Sequence, residues 1–358
     1  PLDVAPQAML LHGDTVVLLG SGYGTVIPMS DAPARELAPD MMPVPGSATT
    51  RIVEVDVTDP ASPRVVATLD LDGSYVSARL VGDVMRVAVN SSPVGFAWQT
   101  PAGSGLAAER EATEANRALV RASTIDNWLP YSSLAGAASR EGPAVDCTKV
   151  MAPTAFSGLD TLSLLAFDLT GGIGEWTSAG VVAAGSTMYA TADRTYISTS
   201  PWADWSDPAS AARGHRTSVH LFETAGTDLR YVGSGAVDGF LLNQFALDEL
   251  ATDAGAFLRV ASTSTPAEWW APGESESHVT VLRVDPDALT ETGRVSGLGK
   301  GEQMRSGRFL RTRGYVVTFR QTDPLYVVDL ADPAAPRVAG ELKIPGYSAY
   351  LHPVSDTR

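Results

Sequence analysis

The chain is poor in several things, and each shortage removes a class of function. A single cysteine, Cys147, stands among 358 residues, so there is no internal disulfide, no cysteine zinc cluster and no Cys-x-x-Cys redox pair. A lone thiol in a protein of this kind is expected to be buried and inert. Lysine occurs only at Lys149, Lys300 and Lys343, and Lys plus Arg total 26 against 41 Asp plus Glu, for a formal charge of −15. That balance excludes a general electrostatic footprint for nucleic acid or for an anionic membrane surface. No uninterrupted apolar run approaches the roughly 18 residues that a membrane-spanning helix needs. The five histidines, His12, His215, His220, His278 and His352, show no His-x-x-x-His or His-Glu-x-x-His spacing, so the common zinc-hydrolase motif is missing too. Two glycine-rich stretches fall short of chemistry in the same way. Gly297-Leu-Gly299-Lys300-Gly301 lacks phosphate-loop spacing, and Gly20-Ser21-Gly22-Tyr23-Gly24 lacks the strand-to-helix elbow of a hydrolase serine.

What the chain has is turns. It carries 33 Gly and 24 Pro with 44% hydrophobic residues, a composition suited to many short elements around an ordinary core. Two stretches repeat. Residues 51–69, RIVEVDVTDPASPRVVATL, and residues 324–342, PLYVVDLADPAAPRVAGEL, share an alternating strand, the spacing D-x-x-D-P-A-x-P-R-V and a second strand. In each turn the Asp side chain, Asp59 or Asp332, is able to accept a backbone N–H while the next proline fixes φ; Pro63 and Pro336 end the turn. Weaker copies of an apolar strand ending in an acid occur at Asp168, Glu223 and Asp285, each followed by a turn and another strand. With two further strands between successive copies, the period is four strands every roughly 40 to 60 residues, the mark of a β-propeller. The expectation is an all-β chain of four-stranded antiparallel blades, five of them spelled out and a sixth begun by GYSAYLHPV. The propeller is expected to run as one domain over residues 1–358.

One interval is too long. Residues 93–158 read as an insertion in the second blade, its first half helical because Leu106, Ala115, Leu119 and Ala122 fall near helical spacing between Leu106 and Ile125. The remainder, with Trp128, Pro130, Tyr131, Pro143 and Pro153, reads as irregular.

At this point three stretches carry a family likeness: TRIVEVDVTDPASPRVVATLDLDGSYVSARLVGDV, GSGAVDGFLLNQFALDE and GYVVTFRQTDPLYVVDLADPAAPRVAGELKIPGYSAYLHP. Over most of its length the chain resembles the secreted bacterial and archaeal proteins with a C-terminal β-propeller domain distantly related to WD-40 repeats. The resemblance implies an exported or cell-surface propeller, anchored upstream, and brings no catalytic motif. Family members extend past both ends of this stretch, and the chain opens on Pro1 rather than Met, so it is expected to be a fragment of a larger ring with some segment removed ahead of it.

In a propeller the first strand of each blade lines the central channel. Those strands offer Arg79, Tyr189, Gln244 and Arg308, and in the sixth Tyr350 and His352, a set able to hold a carboxylate or phosphate because guanidinium forks match planar oxyanions. The plainer alternative is that these groups satisfy neighbouring carbonyls and water. Trp202, Trp205, Trp269 and Trp270, in two loops, form either an aromatic platform for carbohydrate or a partner protein, or anchors packed on the scaffold. Calcium is the cofactor to test: Asp70-Leu-Asp72-Gly73 opens like a calcium loop, but no acidic residue follows at the required spacing, and the cluster of Asp248, Glu249 and Asp253 has the same weakness. Both read first as structural turns. Two functions follow, a non-catalytic extracellular or cell-surface interaction scaffold or, alternatively, a metal-dependent hydrolase or lyase at the channel mouth.

Overall fold

The computed structural model describes residues 6–23, 48–136, 139–199, 215–265, 274–319, 323–344 and 348–355. They belong to two compact units, one of residues 1–152 and 159–184 and the other of residues 153–158 and 185–358.

The first unit opens with β1 (Pro6–His12), β2 (Thr15–Tyr23), β3 (Ala48–Asp56) and β4 (Arg64–Asp72), an antiparallel sheet in chain order. Strand alternation splits its apolar residues between two faces: Val17, Leu19, Ile52 and Leu69 enter the main core, while Leu18, Val53 and Val55 form a smaller cluster. β5 (Ser74–Val81) and β6 (Val84–Ser91) begin the second sheet. The chain then leaves it for α1 (Leu106–Ala122), β7 (Tyr131–Ala135), β8 (Arg140–Pro143) and β9 (Val150–Met151), and returns with β10 (Thr161–Asp168) and β11 (Thr177–Val182). Met85, Val87, Leu165 and Phe167 of this sheet share the core of the first.

The helix forms where residue spacing placed it, ending at Ala122 with Ser123 donating its hydroxyl to the Val120 carbonyl at 2.7 Å. Only Ala112 is buried, and the helix is tied down by Asn116, which accepts the Gln99 N–H at 2.7 Å and donates to the Gln99 carbonyl at 2.9 Å. The second half of the insertion is more regular than its sequence indicates. β7 pairs with the outer edge of β4 and β8 with β7, giving the first sheet six strands, and β9 runs parallel beside β11. These additions cover sheet edges that would otherwise expose unpaired N–H and C=O groups.

The second unit holds three four-stranded antiparallel sheets in chain order: β12 (Thr187–Ala190), β13 (Arg194–Ser198), β14 (Arg216–Ala225) and β15 (Asp228–Asp238); β16 (Leu247–Thr252), β17 (Gly255–Ser264), β18 (Glu276–Val284) and β19 (Leu289–Leu298); β20 (Gln303–Leu310), β21 (Arg313–Phe319), β22 (Asp323–Asp329) and β23 (Arg337–Ile344). With 23 strands in five sheets and one α-helix among the described residues, the chain is all-β and its sheets match the five expected blades. Among its described residues 348–354, the sixth innermost strand expected over GYSAYLHPV is not formed. That segment makes no strand pairing; the Ser348 carbonyl instead accepts the hydroxyl of Ser306 on β20 at 3.1 Å.

The repeat is visible atom by atom. Asp56 accepts the backbone N–H and hydroxyl of Thr58 and pairs with Arg64 at 2.6 Å; Asp329 accepts the N–H of Ala331 and pairs with Arg337 at 3.1 Å. Asp59 then accepts the Ala61 N–H and Asp332 the Ala334 N–H, each at 3.0 Å. Four of the five sheets share a second signature, a β-bulge between the third strand and the strand outside it, which bends the outer strand and sharpens its twist. The bulge follows the pairs Glu54–Ala67, Leu221–Gly233, Val281–Gly293 and Val327–Gly340.

Candidate functional site

Within the second unit the short helical turn Gln244–Ala246 packs against β12, β17 and β20. Gln244 therefore lies ahead of the innermost strand rather than on it, and its side chain is exposed. The local cause is Asn243, whose side chain accepts the Phe245 N–H at 2.9 Å and rolls the chain into one turn before Leu247 enters the sheet.

That turn delivers Phe245 to a cluster of three expected residues. The Arg308 guanidinium stands 4.4 Å from the centroid of the Phe245 ring. On Phe245 the Tyr350 ring packs edge-on at 5.5 Å, and the His352 ring stacks near Tyr350 at 6.0 Å. The Tyr350 hydroxyl is 3.4 Å from Nδ1 of His352. Tyr350 is 53% exposed, so the strip presents ring faces and a cation to solvent, an arrangement suited to a flat ligand carrying negative charge. Phe245 was not singled out from sequence because an aromatic residue in a strand-like run reads as core. The only local hint was the Asn243 cap signal.

Tyr189 goes elsewhere. Its hydroxyl accepts the Glu249 N–H at 3.1 Å, and its ring lies 6.0 Å from Tyr196. Glu249 is the hub: it accepts from the Tyr196 hydroxyl at 2.5 Å and from Arg194 at 2.8 Å. Burial and the adjoining carboxylate push both tyrosine hydroxyls up from their ordinary value. This network bridges β13 to β16. Arg79 belongs to the first unit, where it donates to the Ser77 hydroxyl at 2.8 Å and the Ala78 carbonyl at 2.6 Å. Trp202, Trp205, Trp269 and Trp270 lie outside the described residues.

Around the acidic turns, arginines and main-chain groups take the carboxylates. Asp70 is gripped at two points by Arg51, 2.7 and 2.9 Å, and Asp72 accepts the Tyr131 N–H at 3.2 Å. Gly73 adopts φ 113°, and a methyl group there would lie 2.7 Å from the Asn90 carbonyl oxygen, so the turn needs glycine. Asp248 pairs with Arg259, while Asp253 is exposed. Among the described residues no group of three or more His, Cys, Asp or Glu side chains stands together as a metal-binding set.

Two buried histidines are placed by packing. His220 is 0% exposed, and burial pushes it down to about 4, so it is neutral at physiological pH. His278 contacts the Ser264 hydroxyl at 2.8 Å through Nε2. Cys147 departs from expectation: it is exposed, because it opens a one-turn helix, Cys147–Lys149, capped by Asp146 accepting the Thr148 N–H at 2.8 Å.

A family model described as Beta propeller domain matches residues 2–358. An uncharacterized protein of Methanocaldococcus jannaschii is 44% identical over 125 residues, which is 35% of this chain and 19% of that protein. An uncharacterized protein of Archaeoglobus fulgidus is 41% identical over 124 residues, 35% of this chain and 18% of that protein. The matched stretch thus spans less than a fifth of either curated relative. Among solved structures, a Synechocystis apocarotenoid oxygenase mutant (Glu to Asp) aligns over 94% of this chain and 60% of its own at 9% identity and a TM-score of 0.34. A Pyrococcus horikoshii acylaminoacyl peptidase aligns over 94% and 46% at 8% identity and a TM-score of 0.28.

Proposed function

Because the chain belongs to the β-propeller domain family, whose model spans residues 2–358, we propose that it is a non-catalytic, exported or cell-surface binding scaffold. Its ligand contact in this reading is the strip formed by Arg308, Phe245, Tyr350 and His352. The observation that carries the proposal is the Arg308 guanidinium set 4.4 Å over Phe245 beside an exposed Tyr350. Stacking fixes the orientation of the guanidinium without occupying its donors with a carboxylate, which suits recognition of a carboxylate or phosphate on a planar or ring-shaped ligand. Acidic carbohydrate is the class that uses both features, since sugar rings lie on aromatic faces and the carboxylate meets the arginine. The exported location rests on the family likeness of the three stretches quoted above.

Titration calorimetry with glucuronate, glucose and inorganic phosphate tests the contact. The acidic sugar is expected to bind, neutral glucose to bind weaker by about tenfold, and Arg308→Ala to remove the difference, the loss of one charge-assisted contact. Equal binding of the two sugars, or unchanged binding by a folded Arg308→Ala protein, refutes the assignment. Cell fractionation of the producing organism tests the location, and recovery of the chain in the cytosol alone would contradict it.

A further inference from the structure

Strands β17 and β18 bring together a buried polar pair on each face of their sheet, and the two faces differ. On one face Thr263 and Ser277 stand directly opposite each other, both buried, and their hydroxyls meet at 3.0 Å. On the other face the opposite pair is Ser262 and His278. They are as deeply buried, 0% and 4% exposed, yet Ser262 Oγ and His278 Nδ1 find no hydrogen-bond partner among the described residues. The second ring nitrogen of His278, Nε2, is taken by the Ser264 hydroxyl at 2.8 Å.

Thr280 extends the same face. It follows His278 by two residues and stands opposite Val260 on β17 and Arg294 on β19. It is 0% exposed, and its Oγ1 also lacks a partner. Val260 and Leu282, on the same face, belong to a core cluster with Val219, Leu221 and Val237 of the preceding sheet, so apolar side chains cover this face. Polar atoms in such surroundings are costly to leave unmet, and three on adjoining positions point to one shared partner.

The chemistry of that partner is narrow. All three atoms are closed off from bulk solvent, so whatever meets them is small and is enclosed as the sheets pack. The charged neighbours of His278 are Glu276, Arg294 and Asp238. Arg294 is already joined to Asp238 and, at 2.8 Å, to Glu291, so an anion would find no uncommitted cation. A cation would be held by two hydroxyls and an imidazole without a carboxylate, a buried charge left uncompensated. A neutral molecule that both donates and accepts fits the set.

We propose that Ser262, His278 and Thr280 form an internal binding site for one water molecule, held between β17 and β18 by the two hydroxyls and His278 Nδ1. Water donates two hydrogen bonds and accepts two, so it satisfies this set in either tautomer of the ring. It fixes one nitrogen of His278 as Ser264 fixes the other, and it does for this face what the direct Thr263–Ser277 bond does for the opposite one.

Stability and water counting test the site together. Thr280→Val keeps the shape of the side chain and removes its hydroxyl. With a water in place the variant strands the water's other partners, and the urea midpoint is expected to fall; a hydroxyl buried without any partner would give a higher midpoint on removal. Ser262→Ala is expected to lower the midpoint too. The double variant is expected to lose less than the sum of the two, because one water couples side chains that do not touch. Relaxation dispersion of water ¹⁷O, which counts long-lived internal waters, is expected to find one fewer in each variant than in wild type. A raised midpoint in Thr280→Val, fully additive losses, or an unchanged water count would each overturn the proposal. Should Thr280→Val fail to fold, the water count of Ser262→Ala against wild type decides alone.

Discussion

The two copies of the proline turn, residues 56–64 and 329–337, have one chemistry and two environments. In both, an acid at the end of the third strand collects a backbone N–H and an arginine eight residues on, and a second acid caps the turn itself. Pro336 is nonetheless buried against Gly293, while Pro63 is exposed. The difference teaches that the turn is built by its own residues and that its burial is supplied by whatever strand lies beneath it. Local hydrogen bonding and packing are separable here, and each has its own handle.

The largest expected effect comes at Gly293, where a methyl group would collide with the Pro333 carbonyl oxygen and stand 2.6 Å from Cδ of Pro336. Gly293→Val would force the Pro333–Pro336 backbone away and is expected to cost about 3 kcal/mol, the upper range for overpacking, read as a lower urea midpoint. Gly340→Val, at the matching position in the last sheet, where no described atom lies within 4 Å of the Cβ site, is expected to leave the midpoint within about 0.5 kcal/mol of wild type. Equal costs at the two sites would erase the distinction. Next in size, Pro336→Ala removes ring atoms that contact Gly293 and is expected to cost about 1 kcal/mol, whereas Pro63→Ala loses only turn stiffness and costs about half that. The smallest effect sharpens the likeness rather than the difference. The Thr58 hydroxyl and N–H, then Arg64, pull Asp56 down to about 2, and the Ala331 N–H, then Arg337, lower Asp329 from its ordinary value. A carboxylate lowered in the folded state stabilises fully above its unfolded value near 3.8 and loses that contribution as pH falls toward about 2. Asp56→Asn is therefore expected to flatten the stability curve in that window and Asp329→Asn to act in the same direction, measured by thermal melts between pH 5 and about 2. A flat wild-type curve there would contradict the assignment.

What the sequence made legible follows the same division. The proline turns, their acids and the four-strand period were readable because every contact involved lies within a few residues. Helix α1 was readable from its spacing. The pairing of β7 with β4 was not, since Tyr131–Ala135 has little alternation and its partner strand is some 60 residues away. The cluster around Phe245 was half legible. Arg308, Tyr350 and His352 were expected to share a site, but the ring that joins them sits on a helical turn set by Asn243 instead of on a strand. Cys147 misled for a related reason, because a one-turn helix faces a side chain outward where a strand would have buried it.

The insertion also governs time. β6 and β10 are neighbours in their sheet, yet the side-chain hydrogen bond from Asn90 to Asp160 beside them closes a span of 70 residues, while β1 and β2 meet across the two-residue turn between His12 and Thr15. Closing a loop of that length costs about 3 kcal/mol more in chain entropy than closing a tight turn. The second sheet is therefore expected to be completed late, with amides of β10 gaining protection from hydrogen exchange after those of β14 and β15 during refolding. Simultaneous protection would contradict that order. A segment that decorates the outside of the finished protein would then be what decides how long the protein takes to finish.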